Sequence, residues 1–181
     1  MARTTADLAE PEPYRLAASA SHLLHRAEQL AADRFTQLVG DTITLRQFVV
    51  LAAIAEAPGL SQSELVRATG IDRSTIADMM MRMGRSGWIA RTPSPTDARA
   101  QSVNLTADGA KLLASATHHA RAADAAILDA LPRTKARTLL NILTKLAKLV
   151  DEANEKQSAK DAKKKRKRTR KKDARASSRK T

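Results

Sequence analysis

Hydroxyl and basic side chains gather at the start of one predicted helix near the middle of the chain. Asp72 is a good N-cap, and Arg73, Ser74 and Thr75 follow it as the first helical residues. A helix N-terminus favours phosphate, because its free amides point outward and its end of the helix dipole is positive. A short helix that closes at Gly70 precedes it. Two helices joined by a short glycine-containing turn have the geometry that places a helix N-terminus in the DNA major groove.

The elements before and within this turn are predicted to be helical. Apolar residues recur at helical spacing from Pro13 to about position 39, which indicates a long first helix. Thr44-x-x-Gln47 and Ser61-x-x-Glu64 are capping-box patterns, in which two side chains satisfy each other's free backbone amides. They open the second and third helices.

A small hairpin is predicted to follow the helix that begins at Arg73. Trp88 to Arg91 has the pattern of a short strand, and the alternation from Gln101 to Leu105 indicates a return strand. Thr106 then caps a long helix, and Pro132 begins the last one. The predicted fold class is therefore mainly α with a small β-wing.

The positive charge of the 181-residue chain is concentrated at one end. The chain holds 32 Lys+Arg against 19 Asp+Glu, a net charge of +13. Residues 156–181 carry 14 of the basic residues and 2 of the acidic ones, a net +12, which leaves 18 basic and 17 acidic residues in 1–155. A basic block of this kind repels itself, so 156–181 is predicted to be a disordered tail, as 1–12 is predicted to be a flexible arm. DNA binding by the body must rest on local chemistry.

Composition excludes several classes of protein. The chain has no Cys, which removes disulfide scaffolds, thiolate metal sites and cysteine nucleophiles. Its four aromatic residues disfavour modules that stack single-stranded bases. The longest apolar run has eight residues, far short of a membrane span, and the N-terminus lacks an apolar secretion segment. No phosphate-loop, dinucleotide or nucleophile motif is present, so we expect neither an enzyme nor a cofactor. The composition predicts an intracellular protein with no membrane partner, and the family resemblance described below implies that it is cytoplasmic and nucleoid-associated.

Five short segments of the chain together make up one pattern: Ser61-Gln-Ser-Glu-Leu, Thr69-Gly-Ile-Asp-Arg-Ser-Thr-Ile, Gly87-Trp-Ile-Ala-Arg, Asp97-x-Arg99 and Leu105-Thr106-x-x-Gly109. With them, the chain resembles the MarR (multiple antibiotic resistance regulator) family of winged helix-turn-helix repressors over about residues 13–152. The resemblance implies a MarR-like domain at 13–155. In it, a winged helix-turn-helix lobe at 44–106 lies between long N- and C-terminal dimerisation helices at 13–39 and 107–155. It also implies a homodimer on a pseudo-palindromic operator, with a recognition helix in the major groove and a wing in the minor groove.

The resemblance assigns roles to individual residues. Arg99 matches the wing-tip arginine that enters the minor groove, and Asp97 matches the acid that orients the wing. Asp78 departs from the family, which often has a basic residue there, although a carboxylate can accept from a cytosine amine. The remaining expected recognition-helix contacts are Arg73, Ser74, Thr75 and Ala77. The alternatives are solvated surface charge for the arginines and a turn-capping role for Asp97.

The family usually senses small organic anions, often aromatic carboxylates, between the dimer helices and the DNA-binding lobe. One branch responds to acyl-CoA thioesters, including hydroxycinnamoyl-CoA, and the resemblance does not decide between the two. The candidate donors to such an anion are His22, His25, Arg26 and Arg46, although Arg46 is also consistent with a solvated side chain. The i, i+3 spacing of His22 and His25 would suit a metal shared with the helix bearing His118. A pocket lining or plain helix surface is the favoured interpretation, so no metal site is predicted.

These observations predict a sequence-specific transcriptional regulator of double-stranded DNA, a repressor released by a small organic anion. The alternative is an architectural, nucleoid-type protein that binds DNA mainly through the basic tail, by neutralising phosphates and releasing counterions. Without such a role, the tail would serve only solubility.

Overall fold

The computed structural model describes residues 13–93 and 101–153, which form a mainly helical fold with a small antiparallel sheet. The elements are α1 (Ala20–Val39), α2 (Leu45–Glu56), α3 (Gln62–Thr69), α4 (Arg73–Arg85), β1 (Ile89–Pro93), β2 (Gln101–Leu105), α5 (Ala107–Asp129) and α6 (133–153). The predicted fold class is confirmed. The predicted arm 1–12, the tail 156–181, Asp97 and Arg99 lie outside the described residues.

The starts of α2, α3 and α4 follow from local hydrogen bonding. Thr44 and Ser61 each form the predicted capping box, with Gln47 and Glu64 as the reciprocal partners. The Ser61 backbone amide and hydroxyl both donate to Glu64 Oε2 at 2.7 Å, and these bonds lower the pKa of that carboxyl. Asp72 caps α4, as its sequence position predicted.

The first long helix begins later than the sequence predicted. Residues Leu16–Ala18 form a 3₁₀ turn, and α1 starts at Ala20, so the prediction of a helix from Pro13 is wrong. The reason is Ser19, which has an extended backbone conformation and whose side chain accepts a hydrogen bond from the first turn, so that it is the N-cap of α1. Its hydroxyl oxygen accepts from the His22 amide at 3.4 Å and from the Tyr14 hydroxyl at 2.5 Å.

The hairpin is built from β1 and β2, and the loop before α3 pairs with β2 through a single bridge between Leu60 and Val103. Ile89 lies opposite Leu105 in the β1–β2 pairing, and the register continues to the far end of each strand. The Gly59 amide donates to the Val103 carbonyl at 3.0 Å, and the Val103 amide donates to the Leu60 carbonyl at 2.9 Å. The loop that opens the helix-turn-helix is thereby joined to the wing.

One hydrophobic core lies under α4 and reaches α1, α2, α3, α5 and the hairpin. The predicted apolar face of α4 is buried in it: Ile76, Met79, Met80 and Met83. Burial of each such side chain stabilises the fold by about 1.5–3 kcal/mol, so the core sets which side of α4 faces outward. Within 13–93 and 101–153, no helix is long and apolar enough to cross a membrane.

Candidate nucleic-acid interface

The outward face of α4 carries most of the residues expected to contact DNA. Arg73, Ser74, Ala77 and Asp78 are exposed, whereas Thr75 is half-buried. Ser74, Ala77 and Asp78 lie on the side away from the buried methionines, because a helix repeats every 3.6 residues and the core takes one side of it. Arg73 is the first residue of α4, so its guanidinium is at the exposed end of the helix.

At the start of α4, the Asp72 carboxylate already binds two of the groups expected to meet DNA. The Ser74 hydroxyl donates to Asp72 Oδ1 at 2.5 Å, and the Thr75 amide donates to the same oxygen at 2.9 Å. These bonds hold the pKa of the Asp72 carboxyl far below its ordinary value, with the Ser74 hydroxyl as the largest cause. In this arrangement the Ser74 oxygen can still accept hydrogen bonds. Its hydroxyl must break the hydrogen bond to Asp72 before it can donate to a phosphate.

The turn between α3 and α4 is held from both sides. Gly70 ends α3 in the left-handed conformation, at φ +68°, which favours glycine because other residues meet a steric penalty there. The side-chain amide of Gln62 donates through Nε2 across the turn to the Arg73 carbonyl at 3.4 Å. Both features fix the angle at which α4 leaves α3.

Asp78 is paired with a residue that the sequence analysis did not single out. Arg82 Nη2 lies 2.7 Å from Asp78 Oδ2, and both side chains are more than half exposed. The i, i+4 spacing of an acid followed by a base is a sequence signal for such a pair. Asp78 therefore faces the solvent as half of an ion pair.

The hairpin is anchored to the start of α5 by three backbone contacts. The Thr106 amide donates to the Trp88 carbonyl at 3.1 Å, and the Thr106 hydroxyl donates to the Gly87 carbonyl at 2.5 Å. Gly109 packs so closely that an added Cβ would lie 1.9 Å from the Trp88 carbonyl oxygen. The lobe that carries α4 is thus joined to α5 by direct contacts with the backbone of Gly87 and Trp88. The two expected wing residues, Asp97 and Arg99, lie outside the described residues.

The candidate effector residues are only partly brought together. Arg46 at the start of α2 forms an ion pair with Glu28 of α1, with Nη2 and Oε1 2.7 Å apart. This hydrogen bond lowers the pKa of the Glu28 carboxyl, helped by the nearby charges of Arg46 and His25. Arg46 therefore binds the Glu28 carboxylate and His25 lies near it, whereas Arg26 is exposed and His22 is half-buried near the N-cap. The role of Glu28 could not be predicted from the sequence, because nothing local links positions 28 and 46.

The histidines form no larger cluster in the described part of the chain. His118 and His119 stack edge to face, with ring centroids 5.6 Å apart, and the His119 ring lies 3.3 Å from the Ser115 carbonyl. Within residues 13–93 and 101–153, no group of three potential ligands is placed to hold a metal ion.

Comparison with known proteins gives consistent matches. The sequence model described as MarR family matches residues 43–100. The transcriptional regulator HosA of Escherichia coli is 32% identical over 127 residues, which is 70% of this chain and 93% of HosA. The HTH-type transcriptional repressor NicR of Pseudomonas putida is 36% identical over 102 residues, which is 56% of this chain and 65% of NicR.

Solved structures agree with the sequence relatives. PcaV of Streptomyces coelicolor, in complex with its natural ligand, gives a TM-score of 0.69 at 27% identity and covers 75% of this chain and 96% of PcaV. BpsR of Bordetella bronchiseptica, whose DNA binding is regulated by 6-hydroxynicotinic acid, gives 0.69 at 29%, covering 75% and 97%. The repressor CouR, bound to a 23-mer DNA duplex, gives 0.66 at 28%, covering 73% and 94%. These proteins regulate transcription and are not enzymes. Given the matching family model, the HosA relative and the shared fold, this chain belongs to the MarR family of winged-helix, DNA-binding transcriptional regulators.

Proposed function

We propose that the chain is a homodimeric repressor that reads a pseudo-palindromic operator with α4 and leaves it when an organic anion binds. The observation that carries the proposal is the division of α4 into two faces. The apolar face is locked into the core, and the side chains of the polar face are exposed in the part of the chain that the structure describes. Since the DNA major groove is about 12 Å wide, it admits an α-helix presented in this way.

The proposed contacts on α4 are Arg73, Ser74, Thr75, Ala77 and Asp78. Arg73 is the strongest donor among them, because a guanidinium can bind guanine O6 and N7 or a phosphate with two hydrogen bonds. Such a base contact discriminates against the wrong base by about 1–3 kcal/mol. At the wing, Arg99 is proposed to enter the minor groove and Asp97 to orient it, on the strength of the family motif alone.

A second copy of the chain is the proposed cover for the apolar side chains left exposed on the long helices. Along and just before α1 these are Leu16, Leu23, Leu24, Leu30 and Leu38, and on α6 they are Leu140, Ile142, Leu143, Leu146, Leu149 and Val150. Those on α6 are 40–60% exposed, a contiguous apolar surface typical of a protein interface. A two-fold dimer would present two α4 helices to half-sites about one helical turn apart.

The proposed effector is an aromatic carboxylate, with a hydroxycinnamoyl-CoA-type thioester as the second candidate. The regulation of BpsR by 6-hydroxynicotinic acid favours the free acid. His22, His25, Arg26 and Arg46 are the proposed donors. Because Glu28 already binds Arg46, an incoming carboxylate would replace it in the same ion pair and loosen the contact between α1 and α2. An effector that binds this loosened arrangement more tightly shifts the population off DNA.

The net charge of +12 in residues 156–181 supports a second candidate function, an architectural protein that coats DNA through its tail. Neutralisation of phosphates by such a tail makes binding depend steeply on salt but carries no base readout. The two functions therefore differ in sequence discrimination. In either case the partner is DNA in the cytoplasm, and association with the nucleoid belongs to the proposal.

Selection from randomised DNA duplexes tests the proposed function, followed by a release screen on the selected operator. We expect the full chain to enrich an inverted repeat with half-sites about 10 base pairs apart. We expect 6-hydroxynicotinate or a related aromatic acid to release it, and CoA thioesters and metal ions serve as the other arms of the screen. Enrichment of no sequence would contradict the operator proposal, and release by none of the anions would contradict the effector proposal.

A further inference from the structure

The exposed ridge of α4 ends in a pair of side chains whose combined chemistry matches one base pair. Ser74, Asp78 and Arg82 follow each other at four-residue intervals, so they lie in one row along the outward face. Arg82 Nη2 and Asp78 Oδ2 are 2.7 Å apart, with the side chains 58% and 52% exposed. We infer that Asp78 and Arg82 act as one unit that reads a G·C pair in the operator, with Arg82 contacting the guanine. This inference rests on the proposed docking of α4 in the major groove.

The pair has little to do for the stability of the fold. Both partners are far enough into solvent that water screens their attraction, and ion pairs of this exposure contribute little. Neither side chain belongs to the core under α4. What the contact does achieve is to orient the guanidinium and to offset the negative charge of Asp78 on a face that is proposed to meet phosphates.

The hydrogen-bonding groups left over by the ion pair are complementary to a G·C edge. A guanidinium has five N–H donors, and the contact with Asp78 uses one nitrogen of its fork, which leaves donors on both terminal nitrogens. In the major groove, guanine presents two acceptors, N7 and O6, and its cytosine presents the N4 amine as a donor. Arg82 can supply two donors, and the remaining lone pairs of Asp78 can accept from the amine beside them. The other base pairs present a different order of groups.

The charge balance also favours a paired rather than a free Asp78. An unpaired carboxylate on the DNA-facing side would be repelled by the phosphate backbone, and a free Arg82 would bind phosphate without regard to sequence. As an ion pair, the two groups together carry no net charge, so they add no general attraction to the phosphates. What they add to binding is sequence selectivity. The sequence departs from the usual basic residue at position 78, and the partnership with Arg82 gives that departure a use.

The test uses the full chain, a library of randomised duplexes and four variants: Asp78→Ala, Arg82→Ala, the double variant, and Arg85→Ala. Arg85 is the matched control, since it is exposed in the last turn of α4 and has no ion-pair partner within the described residues. We expect the wild-type consensus to contain one G·C pair per half-site whose preference falls about 5- to 150-fold in Arg82→Ala. Asp78→Ala should relax the same position, and the double variant should be no worse than the weaker single variant.

Several outcomes would overturn the inference. If Arg82→Ala weakens binding equally to all sequences and lowers the salt slope by about one, then Arg82 is a phosphate contact. The same behaviour in the control variant Arg85→Ala would not affect the inference. If Asp78→Ala and Arg82→Ala relax different positions, the two side chains do not act as a unit. A wild-type chain that enriches a consensus unaffected by either variant would refute this inference alone. A wild-type chain that enriches nothing would refute the proposed function and this inference with it.

Discussion

Replacing Gly109 by alanine should push α5 away from the lobe that carries α4. Gly109 lies in the first turn of α5, and an added Cβ would sit 1.9 Å from the Trp88 carbonyl oxygen and 2.8 Å from its carbon. These are backbone atoms, so neither can rotate away as a side chain would. The clash must be relieved by moving β1 away from α5, and that movement breaks both hydrogen bonds from Thr106 to the backbone of Gly87 and Trp88.

The expected loss of stability can be estimated term by term. Overpacking costs about 1–3 kcal/mol, and two lost hydrogen bonds cost about 1 kcal/mol each. Alanine returns about 1 kcal/mol through its higher helix propensity. The free energy of unfolding should therefore fall by about 2–4 kcal/mol, which lowers a urea midpoint by roughly 1–2 M. DNA affinity should fall as well, because α4 and the hairpin move together against α5.

The matched control is Gly84→Ala in α4. An alanine Cβ there meets no heavy atom within 4 Å, so only the gain in helix propensity remains. We expect Gly84→Ala to keep or raise the urea midpoint by the equivalent of up to about 1 kcal/mol. If Gly109→Ala proved as stable as Gly84→Ala, the backbone contact with Trp88 would not be the joint described above.

Three further predictions follow from the caps, the apolar face and the ion pair. Asp72→Ala should lower the urea midpoint at neutral pH. Because the pKa of Asp72 is lower in the folded than in the unfolded chain, the difference in midpoint from wild type should persist above about pH 4 and shrink as the pH falls further. A pH-independent difference would argue against the charged cap. Leu146→Asp on α6 should give a monomer by sedimentation velocity, while Lys145→Asp on the same helix keeps the dimer; a dimeric Leu146→Asp would place the interface elsewhere. Glu28→Gln should change stability by less than about 1 kcal/mol but raise the affinity for 6-hydroxynicotinate several-fold in titration calorimetry, because it frees Arg46; unchanged affinity would remove Arg46 from the effector site.

Features set by neighbouring residues were predictable from the sequence. The capping boxes at Thr44 and Ser61 and the Asp72 cap depend on groups three residues apart, and the periodic burial of α4 depends on helix geometry alone. The start of α1 was misplaced because Pro13 and Ser19 are both good start signals, and only the hydrogen bonds to Ser19 decide between them.

Contacts between distant positions were not predictable in the same way. The pairing of Leu60 with Val103 and the ion pair of Glu28 with Arg46 join segments whose approach is set by how the helices pack. Gly109 was visible as part of a motif, but the need for glycine there comes from the backbone of Trp88. At the DNA-facing surface, the residue types were evident from the sequence. The hydrogen bond from Ser74 to Asp72 emerged only from the side-chain geometry. The pairing of Asp78 with Arg82 had a signal in its i, i+4 spacing, but the geometry was needed to show that the contact forms.

The central claim is that the outward face of α4, and not the basic tail, selects the DNA sequence. The direct measurement is the ratio of affinities for the selected operator and a scrambled duplex, across a range of salt, for the full chain, a chain ending at residue 155, and Arg73→Ala. We predict that removing 156–181 flattens the salt dependence and preserves the ratio, whereas Arg73→Ala lowers the ratio in both lengths of chain. A ratio that collapses with the tail and is unchanged by Arg73→Ala would contradict the claim.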